Sequence, residues 1–104
     1  MANPTTDRIE KEIKSNKVVV FVKGTPAAPQ CGFSAATMEL FKKMGVPFHS
    51  VDILANPDIR AALPQYSQWP TFPQVFIDGK FVGGCDIVHE MHDSGELQKL
   101  LHIS

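Results

Sequence analysis

The spacing of apolar residues changes period several times along the chain, and each change marks an element. Near the N-terminus Ile9 and Ile13 share one helical face, with Asp7 and Glu10 in capping-box spacing, which predicts a short helix over about residues 7–15. "KVVVFVK" (Lys17–Lys23) is apolar without alternation and rich in β-branched residues, the pattern of a strand covered on both faces and therefore central. "GTPAAPQ" (Gly24–Gln30) fits neither period and reads as a loop. From Gly32 the side chains of Phe33, Ala36, Thr37 (through its methyl), Leu40, Phe41 and Met44 fall at helical spacing, and Gly45 ends the run.

The second half reads as clearly. "VPFHSVDI" (Val46–Ile53) predicts a second strand, and "NPDIRAAL" a short helix with Asn56 as N-cap and Pro57 at its first position. "YSQWPTFP" is irregular and holds two X-Pro bonds. "QVFIDGKFVGG" predicts two strands flanking Asp78-Gly79, the pair that a type I′ hairpin turn favours. Asp86 is expected to cap a helix carrying Ile87, Val88 and Met91. Ser94-Gly95 breaks it, and Leu97, Leu100 and Leu101 mark a last short helix. The order α-β-α-β-α-β-β-α-α joins a β-α-β half to a hairpin. It implies an α/β fold, a four-stranded mixed sheet flanked by helices, which is the architecture of the thioredoxin fold. Chemistry in open α/β sheets sits at the carboxyl ends of strands. Cys31, delivered by the loop after the first strand, belongs at that edge.

Composition narrows the classes. A chain of 104 residues is expected to be one domain (1–104), an N-terminal helix (1–16) followed by a core (17–101). Ten Lys+Arg against eleven Asp+Glu give a net charge of -1, with no basic excess to attract nucleic acid. The longest apolar run, Val18–Val22, is too short to span a bilayer, and the mixed charges of "MANPTTDRIEKEIKS" do not make a signal peptide. A cytoplasmic protein with neither a nucleic-acid nor a membrane partner is expected. Two cysteines 54 residues apart make no disulfide scaffold, so catalysis or metal binding is the better use of them.

Cys31 stands at the start of the second predicted helix, where unpaired N–H groups and the helix dipole favour thiolate over thiol. An ordinary cysteine is only about 3% ionised at neutral pH, so the gain is large. Lys23, at the end of the first strand, can add to it. With Ser34 in place of a second thiol, no disulfide forms inside "CGFS", and a mixed disulfide on Cys31 needs an outside thiol or Cys85 to resolve it. A redox centre, a metal ligand and a buried small hydrophobe all remain open readings of Cys31. A cis bond at Pro73, between a loop and a strand, would turn the chain sharply and leave the Phe72 backbone free to pair with an extended peptide. In "GGCDI" the N–H groups of Cys85 and Asp86 suit a carboxylate and Asp86 an ammonium, although a tight turn with an Asp cap accounts for the same residues. His89 and His92 share a helix face but have no third ligand near in sequence, so a solvated surface is expected. Trp69 can stack on a ligand or simply pack.

Taken together, "KGTPAAPQCGFS", "WPTFPQVFIDG" and "FVGGCDI" resemble the monothiol (CGFS-type) glutaredoxins of the short, single-domain bacterial or organellar form, from about Val18 to Leu101. The resemblance implies that Cys31 is the active thiol and an iron ligand. It implies that Lys23 and Arg60 bind the glycine carboxylate of glutathione, and that the Phe72 backbone, before cis-Pro73, pairs with the glutathione cysteine. Cys85 and Asp86 would hold the γ-glutamyl end, and Thr71 and Trp69 complete the signature. A [2Fe-2S] cluster usually takes four thiolates. Two Cys31 thiolates and two glutathiones in a homodimer would supply them. The implied function is glutathione-ligated cluster transfer in iron–sulfur cluster biogenesis, with BolA-like proteins and apo iron–sulfur proteins as partners. The alternative is reduction of protein–glutathione mixed disulfides through Cys31, expected to be weak.

Overall fold

The structure is a computed structural model that describes residues 4–103. Its elements follow the predicted order: helix α1 (Pro4–Ser15), strand β1 (Val18–Val22), α2 (Gly32–Met44), β2 (His49–Asp52), α3 (Pro57–Ser67), β3 (Gln74–Ile77), β4 (Lys80–Gly83), α4 (Cys85–Ser94) and α5 (Glu96–Leu100). The sheet runs β2-β1-β3-β4, with β1 parallel to β2, antiparallel to β3, and β4 antiparallel to β3. This is the mixed four-stranded sheet of the thioredoxin fold. Among the described residues no helix is long and apolar enough to cross a membrane.

The unbroken apolar run of β1 is explained by two cores, one on each face of the sheet. Val18, Val20 and Val22 pack with Met38 and Phe41 of α2, Val88 of α4 and Leu97 of α5. Val19 and Phe21 pack with Ile9 and Ile13 of α1 and Ile59 and Leu63 of α3. Each such burial contributes roughly 1.5–3 kcal/mol, so neither face of β1 tolerates a polar residue cheaply. The hairpin turns at Asp78 and Gly79 with φ of 53° and 79°, the two positive values that type I′ requires. The Phe72–Pro73 bond is cis, as expected.

Element ends depart from expectation where single bonds decide them. Helix α1 begins at Pro4, a residue suited to a first helical turn, so Asp7 lies inside that turn rather than capping it. The buried stripe of α2 is Ser34, Thr37, Met38, Leu40 and Phe41, and Phe33 is 61% exposed rather than core-facing. Helix α3 continues through Pro64 to Ser67, carried by the buried Ile59 and Leu63, so Tyr66 and Ser67 are helical rather than irregular. Asn56 precedes α3 but makes no side-chain cap: its amide donates to the Asp52 carbonyl at 2.8 Å, and its Oδ1 accepts from Arg8 at 2.7 Å. Gly84, not Asp86, is the N-cap of α4, and Asp86 sits in the first turn. Leu97 and Leu101 are buried, while Leu100 is exposed.

Strand register gathers the chemistry at one end of the sheet. Phe21 of β1 pairs with Gln74 of β3, and Val75 of β3 with Gly83 of β4. The residues just past β1, just before β3 and just past β4 therefore meet: Lys23, Phe72–Pro73 and Gly84.

Candidate active site at the Cys31 helix terminus

The loop after β1 folds back on itself at Gly24. There φ is +96°, and a Cβ would lie 2.5 Å from the Ala28 carbonyl oxygen and 2.7 Å from the Gln30 nitrogen, so only glycine fits. The Lys23 carbonyl accepts the Gln30 N–H at 2.9 Å, which closes the loop at its base. Cys31 follows in an extended conformation as the N-cap of α2, and its carbonyl accepts the Ala35 N–H at 2.9 Å.

The sulfur is thereby held over the open end of the helix. The Ser34 backbone N–H is the largest influence and pulls the thiol below its ordinary range. Partial burial opposes it, and the Phe33 N–H, the Ser34 hydroxyl and the Lys23 ammonium add to the lowering, in that order. Lys23 thus acts as expected but is the least of these contributors. Ser34 is more than a first-turn residue. It is fully buried, and its Oγ accepts the Lys23 N–H at 3.0 Å, which ties the end of β1 to α2 and leaves the hydroxyl hydrogen for the sulfur.

Around Cys31 lies a cavity of about 840 Å³ whose wall includes Lys23, Arg60, Trp69, Thr71, Phe72, Pro73, Gly84, Cys85 and Asp86. Every residue singled out in the sequence as a site candidate therefore reaches one wall. Lys23 and Arg60 are cations without an ion-pair partner among the described residues, so both are available to a carboxylate. Gly84 keeps the floor low: a Cβ there would come within 3.3 Å of the Pro73 carbonyl oxygen and of the Trp69 indole nitrogen. The Trp69 ring also packs against Phe81, 5.7 Å between centroids, so the residue both packs and lines the cavity. Gln74, fully buried, donates from Nε2 to the carbonyls of Trp69 (2.9 Å) and Thr71 (3.2 Å) and so fixes "WPT" from beneath.

A second, shallower cavity of about 530 Å³ shares Cys31, Phe33, Cys85 and Asp86 and adds Gly32, Ala36 and His89. His89 is a half-buried part of this wall rather than a solvated surface residue. Its Nδ1–H donates to the Cys85 carbonyl at 2.7 Å and lies 3.6 Å from the Cys85 sulfur. His92 instead faces Asp93. Both cysteines are free thiols. Among the described residues no three His, Cys, Asp or Glu side chains converge to hold a metal ion. The described residues therefore offer no complete ligand set for iron at Cys31.

The glutaredoxin family model matches residues 18–82, more than half of the chain. Glutaredoxin 4 of Pasteurella multocida is 55% identical over 93% of this chain and 89% of its own length. A Rickettsia felis protein named "Probable monothiol glutaredoxin 2" is 50% identical over 95% of each. The chain belongs to the monothiol glutaredoxins. Among solved structures similar to this glutaredoxin, a buckwheat glutaredoxin–glutathione complex superposes with a TM-score of 0.85 at 32% identity, covering 96% of this chain and 93% of that one.

Sequence reasoning missed three contributors to this glutaredoxin's site: Gly24, Gln74 and the buried role of Ser34. Gly24 stood in plain view at the end of a strand. The other two act through hydrogen bonds to residues that no periodicity connects to them.

Proposed function

We propose that this glutaredoxin binds glutathione in the Cys31 cavity and, as a homodimer, carries a [2Fe-2S] cluster for transfer to apo iron–sulfur proteins. The observation that carries the reading is a favoured thiolate in a cavity where, among the described residues, no set of three protein donors converges, set beside two cations without an ion-pair partner there. Lys23 and Arg60 receive the glycine carboxylate of the tripeptide. The Phe72 backbone, turned by Pro73 and flanked by Thr71, pairs with its cysteine. The α4 terminus at Cys85 and Asp86 takes the γ-glutamyl end: its N–H groups suit the carboxylate and the Asp86 side chain the ammonium. The superposed buckwheat complex supports glutathione as the ligand class.

The cluster is cargo, and the donor count argues for how it is held. A [2Fe-2S] unit takes four thiolates. Each chain supplies Cys31, and each bound glutathione supplies one more, so the set closes at two chains and two tripeptides. Half of the ligands are small molecules in exchange with solution, which suits release to an acceptor. A reducing compartment such as the cytoplasm keeps Cys31 and Cys85 free for this use. A BolA-like protein is a further partner of the assembled site.

Anaerobic reconstitution with iron, sulfide and glutathione tests the reading. A coloured dimer is expected from the wild type and none from Cys31→Ser, whereas a colourless monomer from the wild type contradicts it. The same thiolate supports a second reading, because it can attack the glutathionyl sulfur of a mixed disulfide. The partner thiolate leaves, and a second glutathione releases glutathione disulfide from Cys31. Turnover of glutathionylated substrate above background measures that activity, and weak turnover is expected.

A further inference from the structure

Two cations assigned to one ligand carboxylate, Lys23 and Arg60, stand on different elements, and their spacing must be set by something. The β1–β2 ladder ends at Val22–Asp52, with the Ile53 N–H donating to the Val22 carbonyl at 2.9 Å. Beyond that point the Asp52 side chain continues the connection. Its Oδ1 accepts the Gly24 N–H at 3.0 Å, one residue past Lys23, and the Leu54 N–H at 2.9 Å. Its backbone carbonyl accepts the Asn56 amide at 2.8 Å, and the Asn56 carbonyl accepts the Arg60 N–H at 3.1 Å. The bond to Leu54 alone would be an ordinary Asx turn. The bond to Gly24, 28 residues away in sequence, joins the segment leading to Arg60 to the segment carrying Lys23.

We propose that Asp52 is the positioning residue that sets the Lys23–Arg60 spacing, and that it thereby selects a ligand whose carboxylate engages both cations. The proposal rests on the reading of the cavity as a glutathione site. A ligand with its glycine carboxylate esterified loses the charge that both cations address, so discrimination between acid and ester reports their alignment. A merely structural role for Asp52 would lower stability and leave that discrimination unchanged.

The test uses the full chain without cluster. Mixed-disulfide formation on Cys31 is followed by intact mass, with glutathione disulfide and with its glycine diester as the two probes. The wild type should favour the acid by about tenfold or more, the loss expected of a charge-assisted contact. In D52A the preference should fall to about twofold or less, because the Gly24 anchor is gone. D52N keeps an oxygen at the acceptor position and should restore most of it. A wild-type preference in D52A, or a D52N as defective as D52A, overturns the proposal. If D52A does not fold, N56A takes its place: it removes the amide on the Asp52 carbonyl and should lower the preference about threefold, and an unchanged ratio there overturns the proposal. A wild type that does not distinguish acid from ester overturns the glutathione reading itself, a result distinct from one in which wild type and D52A discriminate alike.

Discussion

Cys31 gains most of its character from neighbours within three residues of it, with Lys23 the smallest contributor. The Ser34 N–H leads, the Phe33 N–H and the Ser34 hydroxyl follow, and burial works against them. With the folded-state pKa lowered, the thiolate protonates only as pH falls through that lowered value. Its contribution to stability is therefore complete above the pKa of the unfolded thiol and is lost as pH drops through the folded one. Thiolate absorbance or alkylation rate against pH should show a midpoint below the value of about 8.5 of an unperturbed cysteine. Ser34→Ala should move it upward by removing the hydroxyl donor, while the backbone N–H groups keep it short of the ordinary value. An unmoved midpoint would remove Ser34 from the account. At this scale the sequence was partly legible. Cys31 ahead of a helical period reads as a thiolate without any structure. That Ser34 is buried and bonded to Lys23 does not, because a serine in a first helical turn looks the same whichever way it points.

Elements were legible in order and blurred at their ends. Burial periodicity averages over many residues, so the nine runs stood out, whereas a cap is one or two hydrogen bonds. Asp86 has the composition of a cap and Gly84 has the conformation of one. Phe33 carries the most conspicuous apolar side chain near the start of α2, yet the helix buries the face led by Ser34. The same contrast between burial and surface bonding predicts how α1 is held. Ile13 is 1% exposed in the core beneath α1 and α3, while Arg8 reaches Asp58 and Asn56 on the surface. Ile13→Ala should cost about 2–5 kcal/mol in denaturant unfolding, through lost burial and the cavity it leaves. Arg8→Ala should cost about 1 kcal/mol or less, because exposed ion pairs are screened and entropically expensive. A reversed ranking would mean that the polar contacts, not the isoleucines, dock the helix.

The whole molecule puts a core on each face of the central strands and leaves their shared end for chemistry. That much followed from a β-α-β half joined to a hairpin. The convergence of Lys23, Arg60, Thr71, Phe72, Pro73, Cys85 and Asp86 on one cavity did not follow from pattern: it was implied by resemblance, and strand register supplies the physical reason. Arg60 illustrates the gap, since an arginine on an exposed helix turn carries no sign of its target. What the molecule lacks is equally informative, for among the described residues a single chain offers no third donor to iron at Cys31. The proposed cluster therefore depends on a second chain and on glutathione. Native mass measurement of the anaerobically reconstituted protein tests that dependence most directly. One coloured species is expected, with the mass of two chains, one [2Fe-2S] unit and two glutathiones, and it should not form when glutathione is left out. A cluster held by one chain, or by two chains without glutathione, would contradict that dependence.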